Sequence, residues 1–161
     1  MARMAFKGLK EYELRLSKLG AGTEAIAKKA VYAGTEIIAD EIKSKLEALP
    51  TDTFRYLRGN DKFIGLPQKQ KDDLIASFGV TPIDERNGIY SSKVGFDGYG
   101  SIPTQKYPQG IPNQLLARAV ESGSSVRQKT PFVRPAVNAS KKKAEQAMAE
   151  TIDKEIDKLM K

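Results

Sequence analysis

The sequence predicts an α+β fold, in which a small antiparallel sheet packs against a long central helix and a C-terminal helix. Two stretches have apolar residues at helical spacing, and a third has apolar residues at every second position, with an Asn-Gly pair inside it. A short leading helix and long loops at 50–72 and 97–112 complete the expected layout. The 161 residues suit one domain, 1–161, because a chain of this length can bury a sizeable core without disulfides.

The N-terminal third predicts the short leading helix and then the long central helix. Apolar residues recur at steps of three and four in the first part: Leu9, Tyr12, Leu16 and Leu19. Gly20 and Gly22 are expected to end this helix, and Thr23 to cap the next one. The helical spacing continues to Leu49, and Pro50 is expected to stop it. Small residues in the central helix predict close packing against a sheet or another helix: Ala30, Ala33 and Gly34.

Residues 74–96 predict two strands. Apolar residues alternate with other residues in 74–80 and again in 89–96. Asn87-Gly88 between them is the favoured pair for a tight hairpin turn, so the strands are expected to be antiparallel neighbours. The flanking stretches 50–72 and 97–112 have no sustained period and contain Gly and Pro, which predicts long loops.

The C-terminal part predicts two further helices. Asn113 is expected to cap a short helix that Gly123 closes. The last helix has apolar positions every four residues: Ala144, Met148, Ile152, Ile156 and Met160. Pro135 cannot donate a helical hydrogen bond, so it is expected in the first turn of this helix, after extended chain.

The composition argues against most enzyme classes. The chain has no cysteine and no histidine, which excludes thiol nucleophiles, thiolate metal sites and histidine-based triads. The carboxylates are scattered and mostly alternate with lysine on apparent helical faces, which is typical of solvated surfaces. We therefore predict a protein that is not an enzyme, with no catalytic, cofactor-binding or metal-binding residues. No segment is apolar over the length of a membrane span, so no membrane partner is predicted.

The net charge of +7 raises the question of a polyanionic partner. Residues 113–135 alone are strongly one-signed, with four cations and one carboxylate. Of these cations, Arg127, Lys129 and Arg134 lie near Phe132, and the group could contact phosphates and stack on a base. No basic helix or recognisable groove-reading module accompanies them, so at most nonspecific DNA contact is expected.

The order of parts resembles a known family. A GLKEYELRLSKLG helix precedes an alanine-rich helix, a proline and a strand pair, and ARAVESGSS and TPFVRPAV then lead into a charged terminal helix. This order resembles the tail-component or tail-completion proteins of long-tailed bacteriophages and prophages, over nearly the whole chain but through short motifs. Two features depart from the family: residues 50–72 replace a Thr-Gly-x-Leu-like element, and Ser122 replaces the usual aromatic.

The resemblance implies a structural, non-catalytic neck protein that helps to join tail to head as a ring of subunits. It implies contacts with other neck and tail proteins, and location in the virion after assembly in the host cytoplasm. The alternative is a small basic nucleic-acid-binding protein of prophage origin. Phe132 is expected either in the core, which we favour, or in a subunit contact. The predicted interaction residues are Phe54, Tyr56, Phe63, Tyr99, Tyr107, Arg127, Lys129, Phe132 and Arg134.

Overall fold

The computed structural model describes residues 9–161, with side chains from residue 17 onward. Four helices and four short strands lie in this range and confirm the α+β class. Their bounds are α1 Leu9–Glu47, α2 Gln68–Ser77, β1 Phe78–Val80, β2 Asp84–Arg86, β3 Ile89–Ser91, β4 Val94–Phe96, α3 Asn113–Ser122 and α4 Val133–Met160. None of the described helices has an apolar stretch long enough to cross a membrane.

The helices α1 and α4 pack against each other in antiparallel orientation. The end of α4 lies beside the first half of α1, where Lys29 forms an ion pair of 2.6 Å with Glu155. Further along, Gly34 lies so close to α4 that a Cβ atom there would be 2.7 Å from the Met148 side chain. The small residues of the central helix therefore serve close helix packing, as their pattern predicted.

The predicted break between a leading helix and a central helix is wrong, because α1 is continuous through Gly20 and Gly22. Gly22 faces α4, and a Cβ atom there would lie 2.6 Å from Leu159 Cδ1. The Thr23 hydroxyl donates to the Leu19 carbonyl within the helix, at 2.9 Å, and caps nothing. Packing against α4 outweighs the cost of about 1 kcal/mol that a glycine carries inside a helix.

The predicted strand at 74–80 is wrong for its first half. Residues 68–77 form α2, so the preceding loop is shorter than predicted, and the strand β1 covers only three residues. Gln70 and Leu74 are both buried and lie one helical turn apart. The first buried position of α2, Gln70, is polar. The pattern of apolar residues alone therefore shows the strand-like alternation from Leu74 onward and does not reveal the helix.

The antiparallel pairing of the two strand regions is confirmed. Phe78 faces Phe96, and Asp84 faces Ser91, so β1 pairs with β4 and β2 with β3. Asn87 and Gly88 have φ values of 54° and 76°, as the predicted tight turn requires. The predicted second strand, 89–96, is interrupted at residues 92–93. Residues 81–83, which include Pro82, lie opposite residues 92–93. The longer segment therefore has one extra residue, and such an extra residue disrupts a strand ladder.

The core lies where the last turns of α1 meet the start of α4 and the intervening elements. Its buried members are Ile42, Leu46, Leu49, Leu66, Leu74, Phe96, Leu116, Ala117, Val120, Phe132 and Ala136. The rings of Phe78, Phe96 and Phe132 form a chain with centroid separations of 5.4 and 6.0 Å. Beyond this core, α1 and α4 continue side by side, and the strand β3 also contacts α1.

The remaining C-terminal predictions agree with the structure in outline. The predicted helices appear as α3 and α4, Gly123 follows α3 with φ 80°, and Pro135 lies in the first turn of α4. Asn113 is the first residue of α3, and its side chain donates to the Asp97 carbonyl at 2.9 Å instead of capping the helix. The loop 97–112 contains no helix or strand.

Candidate docking surface

The loop 51–67, which follows α1, is fastened at both ends. Leu66 N–H donates to the Pro50 carbonyl at 3.3 Å, and Asp52 N–H donates to the Leu66 carbonyl at 3.1 Å. Phe63 N–H donates to the Val126 carbonyl at 2.9 Å, and Gln128 N–H donates to the Phe63 carbonyl at 2.7 Å. The loop therefore has a defined backbone that lies against the segment preceding α4.

Arg127 holds this loop from the inside. It is only 7% exposed, and its guanidinium donates to the Gly65 carbonyl and, at 3.4 Å, to Gln70 Oε1. None of the ion pairs formed by the described residues includes Arg127. Burial lowers its pKa, and the charge of Asp52 partly opposes that shift. Arg127 was predicted as an interaction residue, but the structure places its charged group on the loop and on α2.

Several apolar side chains of the loop and of the adjoining segment face solvent. Phe63 and Arg127 pair as a parallel bridge and are buried, so their neighbours Ile64 and Val126 point to the opposite, exposed side. Phe54 packs edge-on against the Phe63 ring at 5.8 Å but stays more than half exposed, and Tyr56 is 90% exposed. We use the name loop-corner surface for the exposed residues of the loop and the adjoining segment, namely Phe54, Tyr56, Ile64, Val126, the cations Arg58, Lys62 and Lys129, and the carboxylate Asp61.

The other predicted interaction residues fall outside this surface. Tyr99 is exposed and Tyr107 half-buried, and both belong to the loop 97–112. That loop is fastened to α2, because the Asp73 carboxylate accepts from Ser101 N–H and Oγ at 2.7 and 2.9 Å. Phe132 is 1% exposed, as the core alternative expects. The structure thus brings together Phe54, Phe63 and Arg127, whereas Tyr99 and Tyr107 lie in a different loop.

Glu121 is a structural residue whose role sequence reasoning missed. Its carboxylate leaves α3 and accepts the N–H groups of Phe132, Val133 and Arg134 at 2.7, 2.9 and 3.0 Å. It thereby satisfies N–H groups at the start of α4 that have no partner within the helix. Burial raises the pKa of Glu121, but the three N–H groups and the Arg134 charge outweigh burial and lower it. Eleven residues separate Glu121 from Phe132, too many for a local capping pattern to reveal the contact.

We expect Glu121→Gln to destabilise the protein by about 1 kcal/mol near neutral pH, because a neutral amide is a weaker cap than a carboxylate. The lowered pKa means that the native contribution is complete above the unfolded value of about 4.3 and is lost as pH falls through the folded value. Urea denaturation at several pH values checks this. A wild-type minus variant difference that stays constant into strong acid would contradict the cap.

The described residues include no group of three side chains of the His, Cys, Asp or Glu type that could hold a metal ion. The exposed groups on the loop-corner surface are aromatic, aliphatic and charged. Comparison of the chain with protein-family models, with curated proteins and with solved structures finds no match.

Proposed function

We propose that this protein is a structural, non-catalytic component of a phage neck, and that it helps to join tail to head as a ring of subunits. The sequence resemblance suggests this class of protein, and the loop-corner surface supports the suggestion. The observation that carries the proposal is that large apolar side chains stay exposed on a backbone that Arg127 and several hydrogen bonds hold in place. Where exposed apolar groups form a contiguous patch, they mark contact sites for other proteins.

A fixed loop has an energetic advantage in assembly. Binding through a mobile loop costs about 0.5 to 1.5 kcal/mol for each side chain that becomes ordered. Here the backbone under Phe54 and Ile64 is already ordered, and the Phe54 ring already rests on Phe63. A larger share of the free energy gained by burying these side chains against a partner is then available for binding than in a mobile loop.

The nucleic-acid alternative loses two of the groups on which it rested. The stacking aromatic would be Phe132, which is in the core, and Arg127 is turned inward. Lys129 and Arg134 remain exposed, and two cations give a weak electrostatic footprint. The group of residues that motivated this alternative is therefore not present as such on the surface.

We expect the double variant Phe54→Ser with Tyr56→Ser to fold normally and to yield few joined virions, because both side chains are exposed in the subunit. The measurement is phage yield, with electron microscopy of separate heads and tails, in a phage that carries the variant gene. A deletion of 54–66 is unsuitable, since it removes Leu66, which is fully buried, and Phe63.

The control is Ile89→Ser, which removes an exposed apolar side chain from the β2-β3 hairpin. It should leave the number of joined particles unchanged. Normal yield from the double variant, or an absence of the protein from virions detected with a label, would refute the proposed role.

A further inference from the structure

A groove with acidic walls runs between α1 and α4. It has a volume of about 550 Å³, and its floor includes Ile37 and Ala147. Its walls carry three carboxylates, Asp40, Glu41 and Glu150, and one ammonium, Lys143. Glu41 is paired with Lys45 at 3.5 Å, whereas no described ion pair includes Asp40 or Glu150. Glu150 accepts a hydrogen bond from Gln146, another lining residue, at 3.0 Å. The groove is therefore lined by both apolar and charged side chains, with more carboxylates than cations.

The loop-corner surface carries mostly positive charge. Tyr56 has 90% of its surface exposed, and Arg58 and Lys62 are exposed near it in the sequence, together with the carboxylate Asp61. Neither cation takes part in an ion pair among the described residues. A partly aromatic surface with more cations than carboxylates and a groove with more carboxylates than cations thus occur on the same molecule, in different elements.

We propose that the loop-corner surface of one copy docks in the α1-α4 groove of the next copy, with Tyr56 in the groove and Arg58 and Lys62 facing Asp40 and Glu150. Because two different surfaces meet, the contact is head-to-tail and leads to a closed ring or an open filament. This rests on the proposed function and deepens it by naming the two surfaces through which neighbouring copies would meet.

Charge reversal tests the pairing. We expect sedimentation equilibrium to show concentration-dependent association of the wild-type protein at physiological salt. Arg58→Glu and Asp40→Lys should each weaken it about tenfold or more, because like charges then face each other. The double variant, and an equimolar mixture of the two single variants, should regain association, since each contact then again joins opposite charges. Loss of folding cannot produce this rescue.

Lys106→Glu, a reversal in the loop 97–112, is the control and should associate like the wild type. A wild-type protein that stays monomeric at every concentration, or a double variant as defective as the single ones, would overturn the pairing. So would tight DNA binding that Arg58→Glu abolishes in a protein that does not associate.

The virion experiment separates the two proposals. A protein that is present in necks but never associates by itself leaves the proposed function standing and removes the groove contact. If charge reversal restores association but the protein is absent from virions, the groove contact stands and the proposed function is removed.

Discussion

Phe132→Ala is expected to lower the free energy of unfolding by about 3 to 5 kcal/mol, the usual cost of truncating a packed aromatic. Phe132 is 1% exposed, and its ring lies edge-on to Phe96 at 6.0 Å. A loss of this size is a large part of the stability of an ordinary domain. The melting temperature of the isolated protein and its soluble yield should therefore both fall.

The position of Phe132 makes relaxation around the lost ring difficult. Pro131 and Pro135 restrict the backbone on either side, and Glu121 holds the N–H groups of residues 132–134. A neighbouring side chain cannot easily move in, so most of the cavity cost should remain. Phe54→Ala is the control, because its ring is more than half exposed and its removal should cost far less. Urea denaturation of both variants gives the comparison, and equal losses would contradict the core assignment.

Much of the fold follows from sequence because the responsible interactions are local. The Asn87-Gly88 turn, the Gly123 helix end and the Pro135 helix start each depend on backbone preferences of a few residues. The apolar spacing of α4 likewise reports the face that it packs against α1. These predictions needed no knowledge of distant parts of the chain.

The errors arise where a distant contact decides the local structure. α1 passes through Gly20 and Gly22, and at Gly22 it packs against α4, which lies more than a hundred residues later in the chain. α2 hides its buried face behind Gln70, whose side chain meets Arg127 from beyond α3. Glu121 likewise caps a helix that begins twelve residues after it. Spacing within a short window contains no information about any of these pairs.

The candidate site likewise has features that the local sequence predicts and features that distant contacts decide. Aromatic residues in a long loop predicted a contact region, and Phe54 and Tyr56 are indeed exposed in the structure. Sequence could not show that Arg127, one of the predicted cationic contact residues, would be buried against the same loop. Only the bridge between Phe63 and Arg127, which lie 64 residues apart, turns these two side chains inward and turns Ile64 and Val126 toward solvent.

Gly65→Ala is expected to destabilise the protein by about 2 to 4 kcal/mol and to release the loop. Gly65 has φ 78°, a conformation that alanine adopts only with strain, and an added Cβ would lie 1.8 Å from the Pro50 carbonyl oxygen. Backbone must therefore move where the loop returns to the end of α1. The Gly65 carbonyl also accepts from Arg127, so the same movement should loosen the fixing of the loop-corner surface.

Gly59→Ala is a matched control within the same loop. Gly59 also has a positive φ, 57°, but no atom lies within 4 Å of the Cβ that would be added. It should carry only the backbone strain, roughly 1 to 2 kcal/mol, and leave self-association intact. Denaturation, limited proteolysis of the loop and sedimentation of both variants measure the difference. If Gly65→Ala behaved like Gly59→Ala in all three, the close approach to Pro50 would not be what fixes this loop, and the docking surface would need another support.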